Sequence, residues 1–343
     1  MKGLSKDSAS WHEVEAEAAG QRVDNYLTRL LKGVPKSHLY RILRSGEVRI
    51  NSRRVGPDYR VQGGDRVRLP PLRTARPAAG PRPASPPPFR IEILYEDDIL
   101  LAINKPAGVA VHGGSGISRG VIEWLRLERP QERFLELVHR LDRETSGVLL
   151  LAKRRSALLA LHRQLREGTV QKLYDVLVKG RWREPSRSVK LPLHKYVLAS
   201  GERRVSVGDG GALAHTVFRL QRAWKDYCLL EAELKTGRTH QIRVHLAHLG
   251  YPIAGDDKYG DFALNKELAR QGLKHMFLHA RRIVIAHPRT GAKLALEAPL
   301  PPALQSFLSM LAAGAGRVAE NISPEGVRLR GGRRGQPETG EIQ

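Results

Sequence analysis

Cysteine is almost absent from this chain of 343 residues: Cys228 stands alone. A single thiol excludes an internal disulfide and a cysteine-built metal cluster, and it fits a reducing, cytoplasmic setting. Aromatic residues make up only 6%, too few for a scaffold built throughout from stacked rings. No run of 18 apolar residues occurs, and residues 1–11 lack the apolar centre of a signal peptide, so no membrane span or leader is expected. Acidic side chains are scarce too, 35 against 58 Lys and Arg, leaving a formal charge of +23. Such an excess calls for a polyanionic partner, and nucleic acid is favoured over an anionic membrane. The 41% of hydrophobic residues is enough for a real core, and the length suits about two domains.

Residues 1–20 read as an N-terminal extension ahead of a small unit spanning 21–70. Val23, Tyr26, Leu27, Leu30 and Leu31 recur every three to four positions, the apolar face of a short helix that Gly33 and Pro35 end. A second helix is predicted from Ser37, with Leu39, Ile42 and Leu43 inward and Gly46 as its stop. From Val48 to Leu69 apolar residues alternate with arginines, the period of short strands. Residues 20–70 hold 12 basic and 4 acidic side chains, so 12 − 4 = +8 sits on this unit alone. Eight prolines from Pro70 to Pro88 forbid a continuous helix or central strand and predict a semi-extended linker over 71–90.

The second unit, 91–311, mixes strand-like runs at 99–104, 147–152, 174–178, 228–234 and 282–286 with helical stretches at 156–167 and 238–249. No βαβ regularity and no repeat is visible, which favours an α+β fold over a doubly wound sheet. Residues 312–343, containing Gly331-Gly-Arg-Arg-Gly335, read as a mobile basic tail.

The densest polar cluster is His139-Arg-Leu-Asp-Arg-Glu-Thr-Ser146, followed by the apolar run 148–152. A buried strand would present that cluster as a rigidly mounted loop. Asp142 stands between Arg140 and Arg143, and flanking cations favour an ionised carboxylate, which suits a nucleophile better than a general acid. A structural Asp–Arg pair in a turn explains the same order of charges. A second cluster gathers Arg238, His240, Arg243, His245 and His248. Its histidines lack the H-E-x-x-H spacing of a zinc helix and share the segment with two arginines, so phosphate contact is favoured over a metal. Tyr174, two residues after Lys172, is either a half-buried strand residue or a stacking surface for a base. His112-Gly-Gly-Ser-Gly116 lacks the lysine and helix of a phosphate loop, and no other cofactor motif occurs, so none is expected.

The run His139-Arg-Leu-Asp-Arg-Glu-Thr-Ser-Gly147 resembles the signature of the large-ribosomal-subunit branch of RNA pseudouridine synthases. Lys172-Leu-Tyr174 and Gly237-Arg-Thr-His-Gln-Ile-Arg243 are similar to that family's second and third motifs, in the same order. Residues 22–70, with Gly33-Val-Pro-Lys-Ser37 and Gly46-Glu-Val-Arg-Ile-Asn51, resemble the S4 RNA-binding domain that precedes the catalytic domain in many members. The resemblance implies an α+β catalytic sheet, no cofactor and no metal, and 23S ribosomal RNA or its large-subunit precursor as partner. It implies Asp142 as nucleophile, Tyr174 against the uracil and Arg243 as the cation paired with Asp142. Arg140 would fill the space in the RNA left by the extruded uridine, with His139, Arg238 and His240 as further RNA contacts nearby. On the S4-like unit, Arg22, Lys36, Arg41, Arg44, Arg53 and Arg54 are the expected RNA contacts. A monomer suits an enzyme that must fit against a large RNA. The long linker, the tail and the turn at 209–216 depart from the family's pattern. A related synthase for other rRNA or tRNA uridines, and a non-catalytic ribosome assembly factor, share much of this chemistry.

Overall fold

The computed structural model describes residues 8–31, 34–72, 89–113 and 119–320. Its small unit comprises β1 (Ser10–Glu13), α1 (Val23–Leu30), α2 (Lys36–Arg44), β2 (Arg49–Ile50), β3 (Arg53–Arg54) and β4 (Arg66–Leu69). The two helices turn Val23, Tyr26, Leu27, Leu39, Ile42 and Leu43 onto a four-stranded sheet ordered β1-β4-β2-β3. Ile50, Val67 and Leu69 meet them from the sheet and Val48 and Val61 from its connecting segments, while Arg49, Arg53, Arg54 and Arg66 face solvent. β1 pairs antiparallel with β4, from Ser10 opposite Leu69 to Glu13 opposite Arg66, so the sheet recruits residues upstream of position 21.

The large unit runs through β5 (Glu92–Glu96), β6 (Leu100–Lys105), α3 (Val121–Glu128), β7 (Glu136–Leu137), β8 (Ser146–Ala152), α4 (Arg155–Glu167), β9 (Gln171–Lys179) and β10 (Ser186–Lys190). It continues with β11 (Leu193–Val197), β12 (Arg203–Val207), β13 (His215–Ala223), β14 (Tyr227–Leu234), α5 (Gln241–His248), α6 (Phe262–Arg270), β15 (Leu278–Ala286), β16 (Lys293–Glu297) and α7 (Pro302–Glu320). The main sheet is ordered β10-β13-β14-β9-β15-β8-β6-β5, with β11 and β12 forming a separate ribbon. Its pairings are antiparallel except β8 with β15, the α+β arrangement expected from the sequence.

β8 is buried from end to end because both faces of the sheet are covered. Leu149 and Leu151 join Leu101 and Ile103 under α3 and α5, while Val148 and Leu150 join Leu100 and Ala102 against α4. That two-sided burial explains the unbroken apolar run, and each such side chain contributes about 1.5–3 kcal/mol. Arg155 at the start of α4 reaches the small unit, its Nε donating to the Ala19 carbonyl at 2.7 Å. α7 buries Leu304 and Phe307 against Leu177 and Phe277 and extends to Glu320, so the stretch expected as a tail from 312 begins as helix. Residues 321–343, linker residues 73–88 and the glycines at 114 and 116 lie outside the described residues.

Candidate active site

Residues 138–145 connect β7 to β8 and carry the acidic group. The Val138 N–H donates to the Leu150 carbonyl (3.0 Å) and the Leu150 N–H donates to His139 Nε2 (3.1 Å), which ties the loop to the strand it enters. The Thr145 N–H donates to the Asp142 carbonyl at 3.2 Å and closes a turn. Gly147 has φ +110°, and a Cβ there would lie 2.2 Å from the Ala280 carbonyl oxygen. Only glycine lets β8 come alongside β15 at this point. Lys105, fully buried at the end of β6, donates from Nζ to the carbonyls of Pro106 (2.8 Å), Val109 (2.8 Å) and Arg143 (3.0 Å). Burial pushes its pKa down to about 7, with the charges of Glu144 and Asp142 opposing that fall. Three carbonyls around one nitrogen suit the three protons of the charged form.

Asp142 opens onto a cavity of about 420 Å³, lined also by Arg140, Arg143, His240, Arg243 and Lys258. Among the described residues its charge partners are not its sequence neighbours. Arg143 donates instead to the Gly108 carbonyl (2.9 Å) and pairs with Glu144 (3.6 Å), while Arg140 is exposed. Arg243 takes the role, its Nη1 donating to Asp142 Oδ2 at 3.2 Å, and His240 Nε2 stands 3.9 Å from Oδ1.

Arg243 is 4% exposed and immobilised from several sides. Its Nε and Nη2 donate to Asp256 Oδ2 (2.8 Å) and Oδ1 (2.7 Å), and Nη2 reaches Asp257 Oδ1 at 3.4 Å. The guanidinium carbon lies 5.1 Å from the ring centroid of Tyr259. Burial works against the guanidinium charge, but the hydrogen bonds and charge of Asp256, then those of Asp142, outweigh it and raise its pKa further. Burial likewise opposes the Asp256 charge, and Arg243 together with the Tyr259 and Lys258 N–H groups overcomes it, holding that carboxyl below its usual range. A bidentate pair of this kind fixes the plane of the guanidinium and therefore the direction of Nη1.

The helix bearing Arg243 starts at Gln241, three residues later than the spacing predicts. Gln241 Oε1 accepts from the Arg238 N–H (3.0 Å) and the Thr236 hydroxyl (2.8 Å), and its Nε2 donates to the His215 carbonyl (3.0 Å) and Thr216 Oγ1 (2.9 Å). These bonds hold 236–240 as a turn, with His240 at φ +53°, a strained position for a non-glycine residue. The same turn points His240 towards Asp142.

Some of the other candidates are placed differently from expectation, and others as expected. His139, expected as an RNA contact, has its Nε2 occupied by a backbone bond, and burial, then the charge of Lys172, pushes its pKa down to about 4. It is a neutral bracket between loop and strand. Tyr174 is 7% exposed in the core and does not line the cavity. Burial, then the charge of Asp142, pushes its phenol pKa up, so it keeps its proton at neutral pH. Arg238 is exposed and donates to the Leu213 carbonyl (3.0 Å). His245 is fully buried between Thr216 Oγ1 (3.0 Å) and the Leu191 carbonyl (3.1 Å). On the small unit Arg22 is occupied by Asp24 through two bonds of 3.2 and 2.8 Å. Arg41, Arg44, Arg53 and Arg54 are exposed, and Lys36 opens α2. Arg53 and Arg54 border an open depression of about 710 Å³. Asp256, Asp257, Lys105 and Tyr259 were not anticipated. The adjacent pair Asp256-Asp257, set in a loop just after the arginine cluster, is the one sequence signal that could have pointed to them.

The family model for RNA pseudouridylate synthase matches residues 99–248, a span that holds both Asp142 and Arg243, and the S4 domain model matches 21–67. The chain belongs to the RNA pseudouridine synthase family and carries an S4 domain on its N-terminal side. It is 51% identical over 301 residues to ribosomal large subunit pseudouridine synthase C of Pasteurella multocida, covering 87% of this chain and 92% of the relative. The protein of the same name from Escherichia coli strain K12 is 51% identical over 303 residues, covering 87% of this chain and 95% of the relative. Among solved structures, human RNA pseudouridylate synthase domain containing 4 gives a TM-score of 0.53 at 27% identity, covering 64% of this chain and 93% of that one.

Proposed function

We propose that this pseudouridine synthase isomerises specific uridines of 23S ribosomal RNA, with Asp142 as nucleophile, working without a cofactor as a cytoplasmic monomer. The names of its relatives and its S4 domain support a large-subunit RNA as substrate. The observation that carries the chemistry is the Asp142 carboxylate at the cavity, met by Arg243 at 3.2 Å.

Isomerisation breaks the N1–C1′ bond of uridine, forms a C5–C1′ bond, releases the C5 proton and returns a proton to N1. An ionised carboxylate can begin this by adding to the base or by assisting departure of the uracil at C1′, and both routes start from the same Asp142 oxygen. Arg243 supplies the opposite charge and, through its fork on Asp256, a fixed direction of approach. The target base must leave its stack, at a cost of a few kcal/mol, and the cations at the cavity mouth offset this through phosphate contacts. Arg140, exposed at that mouth, occupies the gap in the RNA. Tyr174, buried beneath the cavity floor, acts as a packing support and not as a base, because its proton is firmly held. The exposed arginines of the small unit grip the RNA through its backbone.

Tritium release from RNA carrying 5-tritiated uridine, followed by chemical mapping of pseudouridine in 23S RNA and tRNA from a deletion strain, tests the proposal. Release together with pseudouridines lost at defined 23S positions is expected. Losses confined to tRNA would move the substrate elsewhere, and RNA binding without release would mean an assembly factor.

A further inference from the structure

The ribbon β11–β12 meets the cleft at two residues: Lys258, whose carbonyl accepts from Arg204 at 3.0 Å and whose Nζ pairs with Glu202 at 2.8 Å, and Tyr259. The Val205 N–H in β12 donates to the Tyr259 hydroxyl at 3.0 Å, and that hydroxyl lies 2.8 Å from His240 Nδ1. The Tyr259 ring packs edge-on to His240, with centroids 5.5 Å apart, and covers the Arg243 guanidinium at 5.1 Å. Its backbone N–H donates to Asp256 Oδ1 at 3.0 Å. One residue thus touches the ribbon, the arginine, the arginine's anchor and the histidine nearest Asp142.

A phenol has one proton to give. The Tyr259 oxygen already accepts from Val205, so its own O–H is free to donate to His240 Nδ1. The imidazole, kept neutral by burial, then carries its proton on Nε2, the nitrogen 3.9 Å from Asp142 Oδ1. The opposite tautomer would turn a lone pair towards a carboxylate and leave the phenol proton without an acceptor. Burial raises the phenol pKa as well, so the donor persists at neutral pH.

The geometry points to Tyr259 as a positioning residue: it fixes His240 in the Nε2–H tautomer and aims that N–H at the Asp142 carboxylate. This inference rests on Asp142 being the nucleophile. With Arg243 on Oδ2 and His240 facing Oδ1, the two oxygens become inequivalent, and the carboxylate has a defined rotation when the nucleoside arrives.

Imidazole nitrogen NMR on the full-length protein, with His240 assigned through His240→Gln, reads the tautomer directly. The Nε2–H form is expected in the wild-type protein, and an Nδ1–H signal there overturns the inference without any variant. Tyr259→Phe keeps the ring over Arg243 and removes only the hydroxyl. It should yield a tautomer mixture and a fall in kcat of roughly ten- to hundredfold, with KM for the RNA within about twofold of wild type. In the His240→Gln background the same change should cost little more. An unaltered tautomer, or a loss that appears in KM, would reassign Tyr259 to holding the ribbon. Should Asp142→Asn turn over normally, the nucleophile reading fails by itself, while the NMR result still decides the Tyr259–His240 contact.

Discussion

Arg53 and Arg54 stand exposed on the small unit, whereas Arg243 lies in the cleft, 4% exposed with Asp256 clasped in a fork. Among the described residues neither of the first two forms an ion pair, and neither does Arg41. The same side chain serves two physical ends. An exposed guanidinium attracts phosphate by releasing counterions, at any of several positions and with strong dependence on salt. A buried one stabilises little by itself, since desolvation consumes most of the attraction, but it fixes geometry because it can stand in only one place. In the proposed function the net charge of +23 serves the first use and turnover rests on the second.

Arg243→Ala should break that contrast with the largest effect. It leaves the buried Asp256 carboxylate unpaired, so a stability loss of about 3–5 kcal/mol is expected in urea denaturation, together with a turnover loss exceeding any loss of RNA binding. A variant as stable as wild type would mean the fork is not the anchor. Arg243→Lys should recover the charge without the fork and restore turnover only in part.

Acid should act next on the buried side. Unfolded His139 takes up a proton near its ordinary pKa of 6.5, but in the folded protein it does so only near 4. The unfolded chain binds the extra proton in that window, so stability is complete above about pH 6.5 and drains as pH falls towards 4. Its share is at most about 3 kcal/mol, and His245 and His279, also lowered by burial, act in the same direction. Denaturation measured at pH 7 and at pH 4.5 reads the difference, and a His139→Gln variant should flatten it. A slope unchanged in that variant would place His139 outside the loop's support.

The exposed side should respond more gently. Replacing Arg41, Arg53 and Arg54 with serine should leave folding and single-turnover chemistry alone. Binding should weaken, and the log–log salt slope should shrink by about 0.7–0.9 for each phosphate that is no longer neutralised. An unaltered slope would dismiss the small unit as the electrostatic grip.

The contrast also explains what the sequence could convey. Local regularities were legible: the helical face through Val23, Tyr26 and Leu27, the buried run of β8, and the α+β mixture all follow from spacing. Partners were not. By spacing alone Asp142 sat between Arg140 and Arg143, yet those side chains turn outward; only the family resemblance named Arg243, which arrives from 101 positions away. Arg22, expected as an RNA contact, also pairs with Asp24. His139, expected as an RNA contact, also has its ring engaged by the Leu150 N–H, a bond no spacing announces. Lys105 and Tyr259 matter through bonds to segments remote in sequence, and no period reveals those.

Tritium release by Asp142→Asn, measured beside its RNA affinity, tests the central claim most directly. Asparagine keeps the shape and removes the charge, so release should fall by at least about a thousandfold while RNA binding stays near wild type. Release at a rate comparable to wild type would contradict the account.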